Sequence, residues 1–213
     1  MTDTATILGG LLVAFEGIDG AGKSTQARAA VEALTAQGRD AVMLREPTDG
    51  PHGRRLREIM TAGREHVDPM DEFRLFLDDR REDVALNIAP ALERGAVVCI
   101  DRYYISSMAY QGALGISPDF IRAENEKFSP QPDLILYFRL PVEDGLARIT
   151  ASRSGGQNLF ERRDYQARVM QIFETMRFER MVRCDASLPV DQLHDIVMQR
   201  ITQAIKAKSG RKA

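Results

Sequence analysis

"FEGIDGAGKSTQ" (residues 15–26) joins a short apolar run, "LLVAFE" (Leu11 to Glu16), to the longer stretch "KSTQARAAVEALTAQG" (Lys23 to Gly38). The run suits a strand buried on both faces. The stretch after it reads as a helix closed by Gly38. Between them, Gly17-Ile18-Asp19-Gly20-Ala21-Gly22-Lys23-Ser24 fits the pattern G-x-x-x-x-G-K-[ST], with Thr25 next in line. Glycines there let backbone N–H groups converge on phosphate oxygens, and the helix N-terminus adds a partial positive charge. Lys23 is expected to reach the outer phosphates and Ser24 to ligate Mg²⁺. Asp19 is the odd member, because a carboxylate beside a phosphate chain is repelled. It could accept from a sugar hydroxyl, pair with an arginine, or hold a metal-bound water. Each option implies a second ligand on the far side of the loop.

Outward from this loop, short apolar runs alternate with helical patterns. "DAVMLREP" (Asp40 to Pro47), "AVVCI" (Ala96 to Ile100) and "DLILYFRL" (Asp133 to Leu140) read as strands, and "MVRCDA" (Met181 to Ala186) as a weaker fifth. Helices are expected over 53–63, 118–128, 142–153, 159–180 and 189–207. A longer one is expected from Pro69 to Arg94, with Phe73, Phe76, Leu77, Val84, Ile88 and Leu92 as its apolar residues and Pro90 kinking its last turn. This alternation predicts an α/β fold of three layers: a parallel sheet of about five strands flanked by helices, of the P-loop NTPase kind. No internal repeat or interdomain linker is visible.

Composition narrows the partners. A chain of 213 residues is long enough for one domain with a sizeable core. Its formal net charge of -2 gives no whole-chain reason to expect nucleic acid or a membrane surface. The only basic run is the tail, "KAKSGRKA" (Lys206 to Ala213), read as a frayed terminus. Residues 1–9 are read as an N-terminal extension without a basic leader region. Cys99 and Cys184 lie in or beside apolar runs, so buried free thiols and a reducing compartment are expected. With no stretch near the roughly 20 apolar residues of a membrane span, the expected location is cytoplasmic.

A second constellation lies beyond the third strand. "CIDRYYISSMAYQG" (Cys99 to Gly112) leaves that strand through an acid and a base. Strand C-termini build the ligand crevice of parallel sheets, which would put Asp101 near the Mg²⁺ and Arg102 near an anion. On the long helix Phe73, Phe76 and Arg80 share one face, where an aromatic and a guanidinium could hold a planar base.

Taken together, "FEGIDGAGKSTQ", "LFLDDR", "DRYYISSMAYQG", "PDLILYF" and "CDAS", in this order, resemble the thymidylate kinase family from about Leu12 to Ile205. The resemblance implies one kinase domain over 10–206, with a short mobile lid at about 150–163 and a basic tail over 207–213. It implies ATP-dependent phosphorylation of dTMP to dTDP with Mg²⁺, usually by a homodimer. It also implies residue roles. Asp19 faces the acceptor's 3′-hydroxyl, Phe76 stacks on thymine, and Arg80 contacts the base. Arg102 holds the acceptor phosphate. Ser107 sits near the base, Tyr110 lies against the sugar, and Gln111 completes the motif. The Asp185–Ala186 turn lies beside adenine, and the loop residues Gly17 to Thr25 hold ATP.

Two departures from the family's pattern stand out. The usual "REPGGT" is "REPTDG" (Arg45 to Gly50), which leaves the place of Glu46 and the shape of that loop open. The usual "DR" before an apolar residue and Glu is "NLFE" (Asn158 to Glu161), so a familiar lid arginine is Leu159. Ala21 stands where some members carry an arginine in the loop. A lid arginine is then expected to supply the missing charge, with Arg153 favoured over Arg162 and Arg163. "RSGGQ" resembles the signature loop of transporter ATPases, but a polar, Arg-rich helix follows it where those proteins have an apolar strand. An N-K-x-D guanine motif is absent, which argues against a GTPase switch. The nearest competing acceptor is another deoxynucleotide or a deoxynucleoside.

Overall fold

In the computed structural model, which describes residues 7–64, 66–152 and 159–210, five parallel strands form one sheet in the order β2-β3-β1-β4-β5. The strands are β1 (Leu11–Glu16), β2 (Ala41–Arg45), β3 (Val97–Asp101), β4 (Leu134–Arg139) and β5 (Met181–Asp185). β1 is central, and all six of its residues are buried. β2 and β5 are the edges. β2 has no fully buried residue and β5 only Cys184, which is why "MVRCDA" carries so weak a strand pattern. Phe15 and Phe138, on the neighbouring β1 and β4, stack at 5.8 Å. The registers pair Phe15 and Arg45 with Asp101, so β1, β2 and β3 all reach their C-terminal ends near one point.

Helices flank the sheet: α1 (Lys23–Ala36), α2 (Pro51–Ala62), α3 (Pro69–Asp83), α4 (Ala89–Glu93), α5 (Tyr104–Tyr110), α6 (Pro118–Glu126), α7 (Val142–Ser152), α8 (Leu159–Thr175) and α9 (Val190–Ser209). α3 and α6 start with Pro at their first position after a capping side chain. Asp68 accepts from Met70 N at 2.8 Å, and Ser117 from Phe120 N at 3.4 Å. α1 begins after Gly22 with no side-chain cap.

The expected single helix over Pro69 to Arg94 is corrected. It is two helices joined by a π turn, Val84–Ile88, just before Pro90. A proline inside a regular helix collides with the carbonyl four residues back, and the wide turn absorbs that conflict. α8 also stops earlier than Arg180. Arg177 Nη1 bonds the carbonyls of Glu174 (2.7 Å) and Met176 (2.9 Å), satisfying acceptors that a continuing helix would have used. At the N-terminus, Ile7 is buried in the core, so the expected extension over 1–9 is packed by its seventh residue. The last helix runs on to Ser209 through part of the expected frayed tail.

Asp133, at the start of β4, ties that end down. Its Oδ2 accepts from Leu12 N (3.0 Å) and from Lys208 Nζ (2.6 Å). Asp133→Ala is expected to cost about 1–3 kcal/mol, the penalty of leaving a part-buried amide without its acceptor, measured by urea denaturation. A loss below a few tenths of a kcal/mol would show that β1 and α9 do not depend on this carboxylate.

Candidate active site

The loop after central β1 bends through Gly20 (φ 80°) and Gly22 (φ 85°), left-handed conformations that a side chain disfavours. Ile18 and Ala21 are buried beneath it, while Ser24 and Thr25 are exposed at the mouth. Lys23 is buried and curls back to donate to Ile18 O at 2.8 Å. Burial and the charge of Arg102 push its pKa down to about 8, against Asp19, Asp101 and Glu16. Ser24 Oγ donates to Asp101 Oδ2. Asp101 Oδ1 is buried and has no hydrogen-bond partner among the described residues. No group of three His, Cys, Asp or Glu among them could hold a metal. A hydroxyl and one carboxylate with an unused oxygen fit Mg²⁺, which takes few protein ligands and completes its shell with waters and phosphates.

Across the loop stands Arg102, the only non-glycine residue with positive φ (70°) among those described. Such strain persists only where surrounding contacts impose it. Arg102 Nη2 pairs with Asp19 Oδ1 and donates to the Tyr110 hydroxyl at 3.0 Å, and its guanidinium lies 4.7 Å from the Tyr110 ring centroid. Nη1 reaches Ser106 Oγ (3.1 Å) and Gly17 O (3.3 Å). Burial alone would lower the Arg102 pKa, but Tyr110, Asp19 and Asp101 outweigh it and keep the group charged. Of the three options for Asp19, the arginine pair is therefore present, and the Tyr110 hydroxyl also reaches Asp19 Oδ1 at 3.3 Å.

The helix face on α3 inverts the usual pattern. Arg80 is buried and Phe76 is half-exposed, while Phe73 enters the core against Phe120. Arg80 holds Glu46 through Nε (2.8 Å) and Nη2 (2.5 Å), Asn125 through Nη1 (2.5 Å), and Ser107 Oγ (3.1 Å). Burial pushes the Glu46 carboxyl up, against the pull of Arg80. The "REPTDG" departure has a structural counterpart. Thr48 bonds Asp79 on α3 through N (2.9 Å) and Oγ1 (2.6 Å), and Arg57 holds the carbonyls of Pro47 (2.9 Å) and Thr48 (2.6 Å). The loop is thereby fixed with Glu46 against Arg80. Gln111 is buried and donates to Glu72 Oε1 at 3.0 Å.

On the other side of the loop, Asp185 Oδ1 accepts from Ser187 N (2.9 Å) and Oγ (2.6 Å), which holds its carboxyl below the usual range. Arg148 connects this turn to the loop, reaching Ala186 O (3.1 Å) and Gly20 O (3.4 Å). Arg153 lies outside the described residues, as does the whole of "RSGGQ". Arg163 pairs with Glu143 at 2.9 Å.

Glu16 went unassigned in the sequence, although a charge closing an otherwise apolar strand was the available signal. It is fully buried, accepting from Tyr103 N (2.9 Å) and Ser106 Oγ (2.5 Å). Burial pushes its pKa up to about 7, against Ser106 and Arg102.

A parallel α/β sheet with a glycine loop over an uncapped helix, and an acid–base pair on the adjacent strand end, defines a protein of the P-loop NTPase fold. Residues 15–197 match the family described as thymidylate kinase. The chain is similar to thymidylate kinases of Desulfotalea psychrophila (41% identity over 197 residues, 92% of this chain and 96% of that one) and Akkermansia muciniphila (42% over 199, 93% of each). It is also similar to that of Xanthomonas campestris pv. campestris (44% over 202, 93% of this chain and 87% of that one). The chain belongs to the thymidylate kinase family.

The Glu16 environment sets a pH dependence. An unfolded Glu ionises near 4.5 and this one near 7, so between those values the fold holds the extra proton. Its contribution to stability is full below about 4.5 and falls as pH rises to about 7. Glu16→Gln is expected to flatten the stability curve over that window in urea titrations. An unchanged slope would show that another group carries it.

Proposed function

We infer that this chain transfers the terminal phosphoryl group of ATP to dTMP, giving ADP and dTDP. The observation that supports this beyond family membership is the pairing of Asp19 and Arg102 across the phosphate loop. It furnishes an anion site, with a carboxylate beside it, facing the triphosphate loop. The bond from the β,γ-bridging oxygen to the γ-phosphorus breaks as one forms from an acceptor phosphate oxygen.

Such transfers run through a loose transition state, so positioning and charge neutralisation dominate. In our reading Lys23 leaves Ile18 O for the outer phosphates, and the loop amides from Gly17 to Thr25 hold the rest of the chain. Arg102 turns from Asp19 to the acceptor phosphate, which frees the acid for the sugar's 3′-hydroxyl. Phe76 covers one face of thymine, and Arg80, already fixed by Glu46, presents its edge beside Ser107. Tyr110 lies against the sugar, Gln111 backs that wall through Glu72, and the Asp185–Ala186 turn borders adenine. Ser24 and Asp101 would hold Mg²⁺, which supplies charge neutralisation at the phosphates when bound.

Ala21 offers no charge from within the loop, so we assign that part to Arg153, in the expected lid over about 150–163. A homodimer and a cytoplasmic location complete the proposal. The location accords with two buried free thiols and with no described helix long and apolar enough to cross a membrane.

Coupled ADP release across a panel of nucleoside monophosphates, with Mg²⁺ and a Lys23→Ala control, tests the reading. dTMP is expected to be turned over fastest and the control to lose activity. Fast turnover of dGMP or dAMP with none of dTMP would defeat it. Arg153→Ala is expected to lower kcat more than it raises KM, because a finger acts in the transition state. An unchanged kcat removes Arg153 from that role. With Lys23 near 8 in the empty site, kcat/KM for ATP should decline above about pH 8, where the free enzyme loses that charge. A flat profile to pH 9.5 (roughly a unit and a half higher) would put the Lys23 charge outside ATP capture.

A further inference from the structure

The two helices that flank the expected lid, α7 and α8, both meet the phosphate loop at Asp19, by different means. α7 does so through backbone. A Cβ added to Gly145 would lie 2.7 Å from Asp19 O, and one added to Gly20 would lie 2.4 Å from Gly145 O. Helix and loop therefore touch main chain to main chain, with no room for a methyl group on either side. α8 does so through a side chain. Gln166, only 6% exposed, donates from Nε2 to Asp19 Oδ2 at 3.2 Å. An ionised carboxylate only accepts, so the amide nitrogen must face it. Its Oε1 is then left buried with no hydrogen-bond partner among the described residues. A leucine would fill that space without an unpaired carbonyl, so packing alone does not account for the glutamine.

We propose that Gln166 and Gly145 are positioning residues for phosphoryl transfer, holding the side chain and the backbone of Asp19 from the two stems of the lid. This rests on the reading above, that the acceptor meets Asp19. The division of the carboxylate is what matters. Arg102 and Tyr110 reach Oδ1, and Gln166 reaches Oδ2. Without Gln166 the Oδ2 side of the carboxylate loses a buried donor, so Asp19 is held less firmly where the acceptor meets it. The neighbouring Tyr165 hydroxyl donates to Tyr110 O at 3.0 Å, so α8 also anchors the helix that carries the third member of this cluster.

Steady-state kinetics with each substrate varied would test this in Gln166→Leu, Asp19→Ala and the double variant. Gln166→Leu is expected to lower kcat/KM for dTMP about tenfold, the weight of one hydrogen bond to a charged group, with KM for ATP nearly unchanged. In the Asp19→Ala background the same change should have almost no further effect, because its partner is gone. Independent losses in the double variant, or equal losses toward both substrates, would overturn the role of Gln166. Asp19→Ala as active as the unmodified chain would overturn it too, while leaving the nucleotide panel standing. Gly145→Ala supplies a readout that needs no acceptor. Glycine-to-alanine changes within helices ordinarily raise stability, whereas here a lower Tm is expected, by about 2–4 °C or more, with reduced kcat. A higher Tm with unchanged kcat would show that α7 does not seat Asp19.

Discussion

An arginine held against an aspartate across a glycine turn is the constraint around which the rest of this structure is arranged. Arg102 can meet Asp19 only because β3 lies beside β1 and ends one residue short of it in register. The adjacency follows from the strand order, which places the fully buried β1 at the centre. The positive φ of Arg102 is imposed by contacts on both sides of that residue: its own side chain on Asp19, and the next amide, Tyr103 N, on buried Glu16. A carboxyl buried at a strand end is costly. Here it accepts two hydrogen bonds, and both come from the segment that carries Arg102 and Ser106.

The second buried ionic group, Glu46 with Arg80, works on the opposite wall. Such a pair adds little net stability against an apolar substitute, but removing one partner leaves an uncompensated buried charge. Its consequence is geometric. Arg80 makes four hydrogen bonds to three residues and lies 5.4 Å from the Tyr103 ring centroid, so its guanidinium has one available orientation. The Thr48–Asp79 bonds anchor Glu46 to the helix that carries Arg80, closing a short circuit within the same wall. The glycines of the family pattern have no side chain with which to make that contact.

The strands and the phosphate loop were legible because each rests on local signals: apolar runs bounded by turn residues, and glycines at fixed spacing before a lysine. The acid and base after the third strand were legible for the same reason, since strand ends in a parallel sheet share one crevice. What could not be read was set by contacts remote in sequence. Gln166 lies 147 residues from Asp19, Asp133 lies 121 residues from Leu12, and no local pattern joins either pair. The π turn before Pro90 is another case: the proline signalled trouble, but whether a kink or a widened turn relieves it depends on the packing of Ile88 and Ala91 in the core. The depth of Arg80 was of the same kind: it is among the most buried side chains because Glu46, Asn125 and Ser107, all remote in sequence, converge on it.

The polar groups around the loop already have protein partners where ligand contacts are proposed. Lys23 rests on Ile18 O, Arg102 on Asp19, and Ser24 on Asp101. Binding therefore exchanges contacts rather than creating them, which lowers the net gain per contact but spares the cost of ordering long side chains at the moment of association. Transition-state stabilisation benefits from the same economy, because donors already fixed near their working positions need little reorganisation as charge shifts. The internal pairs must then be weak enough to release. Arg102 and Asp19 meet this condition, since their side chains are 20% and 41% exposed and water screens their attraction. Glu46 and Arg80, at 2% and 1%, do not, and so that pair is built to hold its shape while the proposed exchange of partners falls to the pair beside the loop.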